Sequence, residues 1–230
     1  MLNYNQFLWM YCFLQAVKFG GSVTLFRNRI TENKKMSVKV SIIIAASEVE
    51  FEAARDLCRD WVKWQVKVFP ERKDIILKVF EPVEYANTLK NLSTIHARPK
   101  GAILLATLNK KYVGCVMYHE LIPTTAEIKR LFVRESARGH GVGHLLLTEM
   151  FKCMKNDGYE RTQFNSARFL THARHLYEKV GFQEIPLPKG TPKGMAKTSY
   201  FMERNLNAKK NQAGGLTDRN VWGGMFGQGN

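Results

Sequence analysis

Long apolar runs are missing from this 230-residue chain. The run at the N-terminus, Phe7 to Leu14, has eight residues, whereas a bilayer-spanning helix needs about 20. It is also a poor secretion signal. Asn3, Asn5 and Gln6 stand where basic residues belong, and Gly20-Gly21 is a weak cleavage site. Cysteine is scarce, at positions 12, 58, 115 and 153, and no two are spaced as a ligand pair. That argues against a zinc site and favours reduced thiols in a cytoplasmic protein. Acidic residues are few: 20 Asp and Glu face 35 Lys and Arg, for a net charge of +15. The imbalance predicts affinity for polyanions without saying whether they are cofactor phosphates, nucleic acid or lipid. Internal repeats, zinc knuckles and aromatic RNA-binding motifs are absent. A composition of 45% hydrophobic and 24% charged residues is that of a globular chain.

The charge is not confined to the ends. Residues 1–36 carry +4 and residues 205–230 carry +2, which leaves +9 on the middle. Regular patterning begins after Met36. Residues 1–36 are therefore read as an N-terminal extension, 37–206 as one domain, and the Asn-, Gln- and Gly-rich 207–230 as a disordered tail.

Within the domain, Val38 to Ala46 reads as a strand. Ser47 with Glu50 forms a capping-box signature ahead of a helix bearing Phe51, Ala54, Leu57, Cys58, Trp61, Val62 and Trp64. Pro70 stops it, and residues 71–99 are expected to hold one more helix between loops, with Pro82 and Pro99 as breaks. Strands follow over Ala102 to Leu108, Tyr112 to Leu121 and Ala126 to Val133, the first two joined by an Asn109-Lys110 turn. A helix over Gly141 to Met154 presents Val142, Leu145, Leu146 and Met150 on one face. Then come a short strand (Thr162 to Asn165), a helix (Phe169 to Val180) stopped by Gly181, and strands over Phe182 to Ile185 and Thr198 to Arg204. This order predicts a mixed α/β fold with helices on the sheet faces.

Two segments carry chemistry. Arg138-Gly139-His140-Gly141-Val142-Gly143-His144 follows a strand and opens a helix. Glycines there let backbone approach a ligand, and the free N–H groups of a helix start favour phosphate. The loop is not a Walker A motif, since no Gly-Lys-Ser/Thr follows it. The second segment is Ala173 to Phe182, with Leu176-Tyr177-Glu178-Lys179-Val180-Gly181-Phe182 at its heart.

Together these segments resemble the GNAT superfamily of N-acetyltransferases. Arg138, Gly141 and Gly143 match its phosphate loop, and Ala173, Leu176, Tyr177, Gly181 and Phe182 match its Ala-x-x-Leu-Tyr-x-x-x-Gly-Phe block. Glu127 to Val133 resembles its fourth strand and Tyr200 to Leu206 its last. The resemblance covers roughly residues 38–206. It implies an acyl-CoA N-acyltransferase fold: a mixed, mostly antiparallel sheet whose central strands splay apart. It also implies acetyl-CoA as cofactor, held by the backbone of Leu131, Phe132 and Val133 and by the loop Arg138, Gly139, His140, Gly141, Val142, Gly143 and His144. Tyr177 takes the place of the family's general acid, and Glu127 that of the general base used in its histone-acetylating branch. The expected partner is an amine of a small molecule or a protein, with no membrane or nucleic acid, and a homodimer is left open. Two departures bear on the acceptor and the cofactor arm. Leu170 stands where many members have Asn, and Pro186-Leu187-Pro188-Lys189-Gly190 replaces a common Pro-Tyr-Tyr stretch.

Weaker candidates have plainer readings. His140 and His144 are four apart but lack a third ligand, so no metal is expected. His172 and His175 are expected on a solvated helix face. His119 and Glu120 could face the acceptor. Trp61, Trp64 and Tyr85 could tune acceptor choice; the plainer reading of the two tryptophans is a helix face packed on the sheet. Two other classes compete with the enzyme reading: a basic nucleic-acid-binding module, and a family member that binds acyl-CoA without catalysis.

Overall fold

The Asn109-Lys110 turn has both residues at positive φ (50° and 64°), as a two-residue hairpin whose twist matches its strands requires. It joins β2 (Gly101–Leu108) to β3 (Lys111–Ile122). The structure, a computed structural model, describes residues 39–191 and 193–208, apart from the side chain of His172. The N-terminal extension, almost all of the tail, and Cys12 therefore lie outside the described residues.

Seven strands form one sheet in the order β1-β2-β3-β4-β5-β7-β6. The others are β1 (Val40–Ile44), β4 (Thr125–Val133), β5 (Arg161–Ala167), β6 (Gln183–Ile185) and β7 (Ser199–Asn205). All neighbours are antiparallel except β4 and β5. That pair is short: Thr125 faces Arg161, Ala126 faces Thr162, Glu127 faces Gln163, and the pairing ends there. Beyond it the two strands part, and the β5-facing edge of β4 from Ile128 onward has no strand partner among the described residues.

Alternation along the strands builds a core on each face. On one face, α5 (Val142–Asn156) and α6 (Thr171–Lys179) cover Leu104, Val116, Tyr118, Ile128, Phe164 and Met202. On the other, α1 (Glu48–Val68) lays Ala54, Leu57 and Cys58 over Ile103, Leu105 and Met117. The expected capping box is present: Ser47 Oγ accepts from the Glu50 N–H, and Glu50 Oε2 accepts from the Ser47 and Ala46 N–H groups. Trp61, Trp64 and Tyr85 are half-buried against this second core, as the packing reading of the two tryptophans expects.

Three expectations need correction. Residues 71–99 hold more than one helix: a 3₁₀ turn at Pro70–Arg72, then α2 (Lys73–Val79), α3 (Pro82–Lys90) and α4 (Leu92–Ile95). Pro82 starts α3, where its missing N–H costs nothing, and the Glu81 carboxylate caps it through the Glu84 N–H at 2.9 Å. On α5, Leu147 rather than Leu145 joins Val142, Leu146 and Met150 in the core. A short α7 (Lys193–Thr198) precedes β7, where only a loop and strand were expected.

Candidate active site

The opening between β4 and β5 organises every candidate residue. The glycine loop follows β4 through a 3₁₀ turn, Glu135–Ala137, whose Ala137 is wholly buried. Gly139 and Gly141 have φ of 79° and 73°, a left-handed conformation natural to glycine. A Cβ at either would meet nothing within 4 Å, so the loop leaves open space on its ligand side. Gly141 caps α5 with no side chain, and the first helical bond runs from the Leu145 N–H to the Gly141 carbonyl at 3.0 Å. The N–H groups just before it have no intrahelical acceptor. Gly143 differs. Its Cβ would come within 3.3 Å of Leu176 Cδ2, so it permits α5 and α6 to approach.

Arg138 is fixed twice. Its Nε donates to the Val133 carbonyl at 3.0 Å, and its guanidinium lies 4.4 Å from the Trp64 ring centroid. No carboxylate lies within ion-pair distance of it among the described residues, whereas nearby Arg134 is paired with Asp60 at 2.6 Å. The His140 Nδ1–H donates to the Arg138 carbonyl at 3.0 Å. His144 and His175 are exposed. A hollow of about 480 Å³ lined by His175, Leu176, Glu178 and Lys179 adjoins the loop through Leu176. Loop, hollow and unpaired Arg138 fit an anionic pyrophosphate group well.

On β4, Phe132 is buried in the α1-side core while Leu131 and Val133 pack against the α5-side core. Their shared strand edge faces the opening. Glu127 is fully buried on the last paired row before that opening. Its Oε1 accepts from Lys129 Nζ at 2.5 Å, and His119 Nε2 lies 3.3 Å from Oε2. That second approach lies outside hydrogen-bonding geometry, so Oε2 keeps an unused acceptor position. Burial alone would raise the carboxyl pKa, but the His119 ring and the Lys129 ammonium outweigh it and hold Glu127 below the usual carboxylate range. Glu127 is thus ionised at neutral pH. His119 also packs its ring 5.4 Å from His96. Glu120, the weaker base candidate, is tied to Lys100 at 2.7 Å.

Tyr177 sits on the other face. Its ring stacks on Phe164, the first β5 residue past the last paired row, with centroids 3.9 Å apart, and meets Phe182 edge-on at 5.4 Å. Burial, with a smaller push from Tyr200, drives its phenol far above the ordinary range, so it stays protonated. Tyr177 belongs to the α5-side core, whereas strand alternation turns Glu127 toward α1. A ligand touching both must pass through the opening.

The sequence reading missed Lys129, Gln163 and His96. Gln163 faces Glu127 across the last row and donates to Glu203 at 2.6 Å. The signal for these residues is cross-strand register, which a linear pattern does not carry. Among the described residues, no group of three or more His, Cys, Asp or Glu side chains could hold a metal. No described helix is long and apolar enough to cross a membrane.

A sheet that opens beside a glycine loop and a helix start defines an acyl-CoA N-acyltransferase type of fold. The family profile described as "Acetyltransferase (GNAT) family" matches residues 59–182, and the chain belongs to that family. An uncharacterised N-acetyltransferase of Schizosaccharomyces pombe is 31% identical over 102 residues, covering 44% of this chain and 60% of the relative. The chain therefore spans less than two thirds of that relative's length. A GNAT-family acetyltransferase of Staphylococcus aureus Mu50 superposes with a TM-score of 0.56 at 21% identity, covering 74% of this chain and all of its own. The PaiA N-acetyltransferase of Thermoplasma acidophilum, solved with coenzyme A, gives 0.54 at 20% identity, over 72% and 99%. The ribosomal-protein-S18-alanine N-acetyltransferase of Escherichia coli gives 0.52 at 14%, over 76% and 99%. These structures share the fold.

Proposed function

We propose that residues 37–206 form an acetyl-CoA-dependent N-acetyltransferase domain acting in the cytoplasm on the amine of a small molecule or a protein. The observation that carries this is the early end of the β4–β5 pairing at Glu127 and Gln163, with the glycine loop following the freed strand. Bound there, acetyl-CoA supplies an acetyl group activated as a thioester.

The chain's own residues divide the work between the two faces. The N–H groups of Gly139 to His144, the α5 dipole and Arg138 bind the phosphates. The free β4 edge at Leu131, Phe132 and Val133 offers main-chain groups that would hold the cofactor's arm. On the α1 side, Glu127 Oε2 accepts the proton lost by the acceptor amine, directly or through water. Lys129 orients that carboxylate through Oε1, and Lys129 and His119 together keep it ionised. On the α5 side, the Tyr177 hydroxyl donates a proton to the departing sulfur. No cysteine lies in the loop or the Tyr177 block, in keeping with direct transfer.

The test is release of free thiol from acetyl-CoA by residues 36–206, screened over amines and a short RNA. Saturable amine-dependent release supports the reading. Acetyl-CoA binding with no transfer to any amine would leave a non-catalytic binder, and RNA binding without acetyl-CoA binding would leave a nucleic-acid module.

A further inference from the structure

Simple alternation would send Arg130 toward α5 with Ile128. It does not go there. The β3–β4 register slips between the Cys115–Phe132 and Met117–Lys129 pairs, so Arg130 and Leu131 together oppose Val116. At this bulge Arg130 takes φ of 56°, unusual for a side chain of its size, and its carbonyl accepts from Cys115 Sγ at 3.4 Å. The turn carries its guanidinium to the α1 side. There it lies 5.4 Å from the Trp61 ring centroid, 5.6 Å from Phe80 and 5.4 Å from Tyr85.

The cage holds a cation without a counter-charge. Arg130 Nε is buried and makes no hydrogen bond. Arg55, Arg59, Arg98, Arg134 and Arg174 each meet a carboxylate, but among the described residues none lies within ion-pair distance of Arg130. The neighbouring Lys129 is already taken by Glu127. Lys129 and Arg130 therefore outnumber Glu127 on the acceptor side of the opening, and the surplus positive charge sits beside Leu131. Aromatic packing alone would be met by any long side chain. The rings enclose Nε, so an anion would meet the outer Nη edge of this half-buried guanidinium, which no carboxylate of the described residues neutralises.

We propose that Arg130 anchors a carboxylate of the acceptor, so that the acceptor is a small amine bearing a free carboxylate, such as an amino acid. This rests on the acetyl-transfer reading above. The planar fork offers a carboxylate paired, charge-assisted hydrogen bonds, and the rings fix its orientation while excluding water. The same positive charge disfavours the ammonium form of a nearby amine, which favours the neutral nucleophile.

The experiment compares the full chain with Arg130→Met, which keeps an apolar stem in the cage, and Arg130→Lys, which keeps charge but loses the fork. Amino acids, β-alanine and γ-aminobutyrate are each assayed beside their carboxamides by thiol release, with an aminoalkyl phosphonate alongside. Binding of each acid to the CoA-saturated protein is measured by calorimetry. We expect at least one acid to exceed its amide in kcat/KM by about 10- to 100-fold. That ratio should fall below about 3 in Arg130→Met, and partway in Arg130→Lys, with acetyl-CoA affinity unchanged. Equal use of acid and amide, preference for the phosphonate, or a preference that survives in both variants overturns the proposal. So does acetylation confined to protein amines. An acid that binds through Arg130 without turnover upholds the anchor and sinks the acetyl-transfer reading instead. If no acid binds, the anchor falls whatever the turnover.

Discussion

Glu127 and Tyr177 are both buried, yet burial acts oppositely on what they can do. For the tyrosine it is the dominant influence, and it secures the proton that a departing thiolate needs. The Tyr177 ring, through Phe164 and Phe182, carries its packing. Tyr177→Phe should therefore lower kcat by about 10²-fold while leaving acetyl-CoA affinity and thermal stability near wild type. Stopped-flow turnover beside calorimetry checks this, and an unchanged kcat would remove the acid role. For the glutamate, the His119 ring and the Lys129 ammonium defeat burial. Its folded pKa is depressed, so it is a ready base at neutral pH and loses that capacity only when pH falls below the ordinary carboxylate range. Glu127→Gln should cost about 10²- to 10⁴-fold in kcat/KM and remove an acid limb lying below pH 4.5. An acid limb that persists in Glu127→Gln would take the base role away from Glu127.

At the scale of elements, the loop and α5 show how local chemistry sets a ligand site. A Cβ at Gly141 strikes nothing in the protein, so the cost of Gly141→Ala is backbone strain of about 1 kcal/mol. Gly141→Glu adds a negative charge where the helix start favours an anion. It should raise the acetyl-CoA Kd by more than about 100-fold while the chain still folds. Calorimetry with parallel circular dichroism measures both, and retained affinity would move the pyrophosphate elsewhere. This loop was legible in the sequence because its glycines, Arg138 and the helix start are contiguous. The hairpin at Asn109-Lys110, the capping box at Ser47 and the strands β2 to β4 were legible for the same reason. What was illegible depends on register or on competition between short helices. Residues 71–99 carry apolar residues at too many phases to reveal breaks at Phe80 and Asn91. The bulge that turns Arg130 over has no local signature in Lys-Arg-Leu-Phe, and the Lys129–Glu127–His119 cluster exists only once β3 and β4 are aligned.

For the whole molecule, one buried imidazole makes the fold sensitive to acid. His96 follows α4, 6% exposed, and its Nδ1–H donates to the Tyr118 carbonyl at 2.9 Å. Burial lowers its pKa to about 4. The Tyr118 carbonyl opposes that shift, and the charges of His119, Arg130 and Lys129 add to it. The unfolded chain takes up this proton near pH 6.5, but the folded chain resists until about pH 4. The unfolded state therefore binds more protons across that window, and stability falls as pH drops through it. By pH 5 the loss is about 2 kcal/mol. The lowered carboxyls of Glu50, Glu52, Glu135 and Glu178 act in a different window, below their ordinary 4.5. The two effects are separable. Urea unfolding at pH 7.5 and pH 5 should show the loss in the wild-type chain, and His96→Gln should flatten the difference between those two pH values whatever its absolute stability. If His96→Gln keeps the full loss, another group takes up the proton on unfolding.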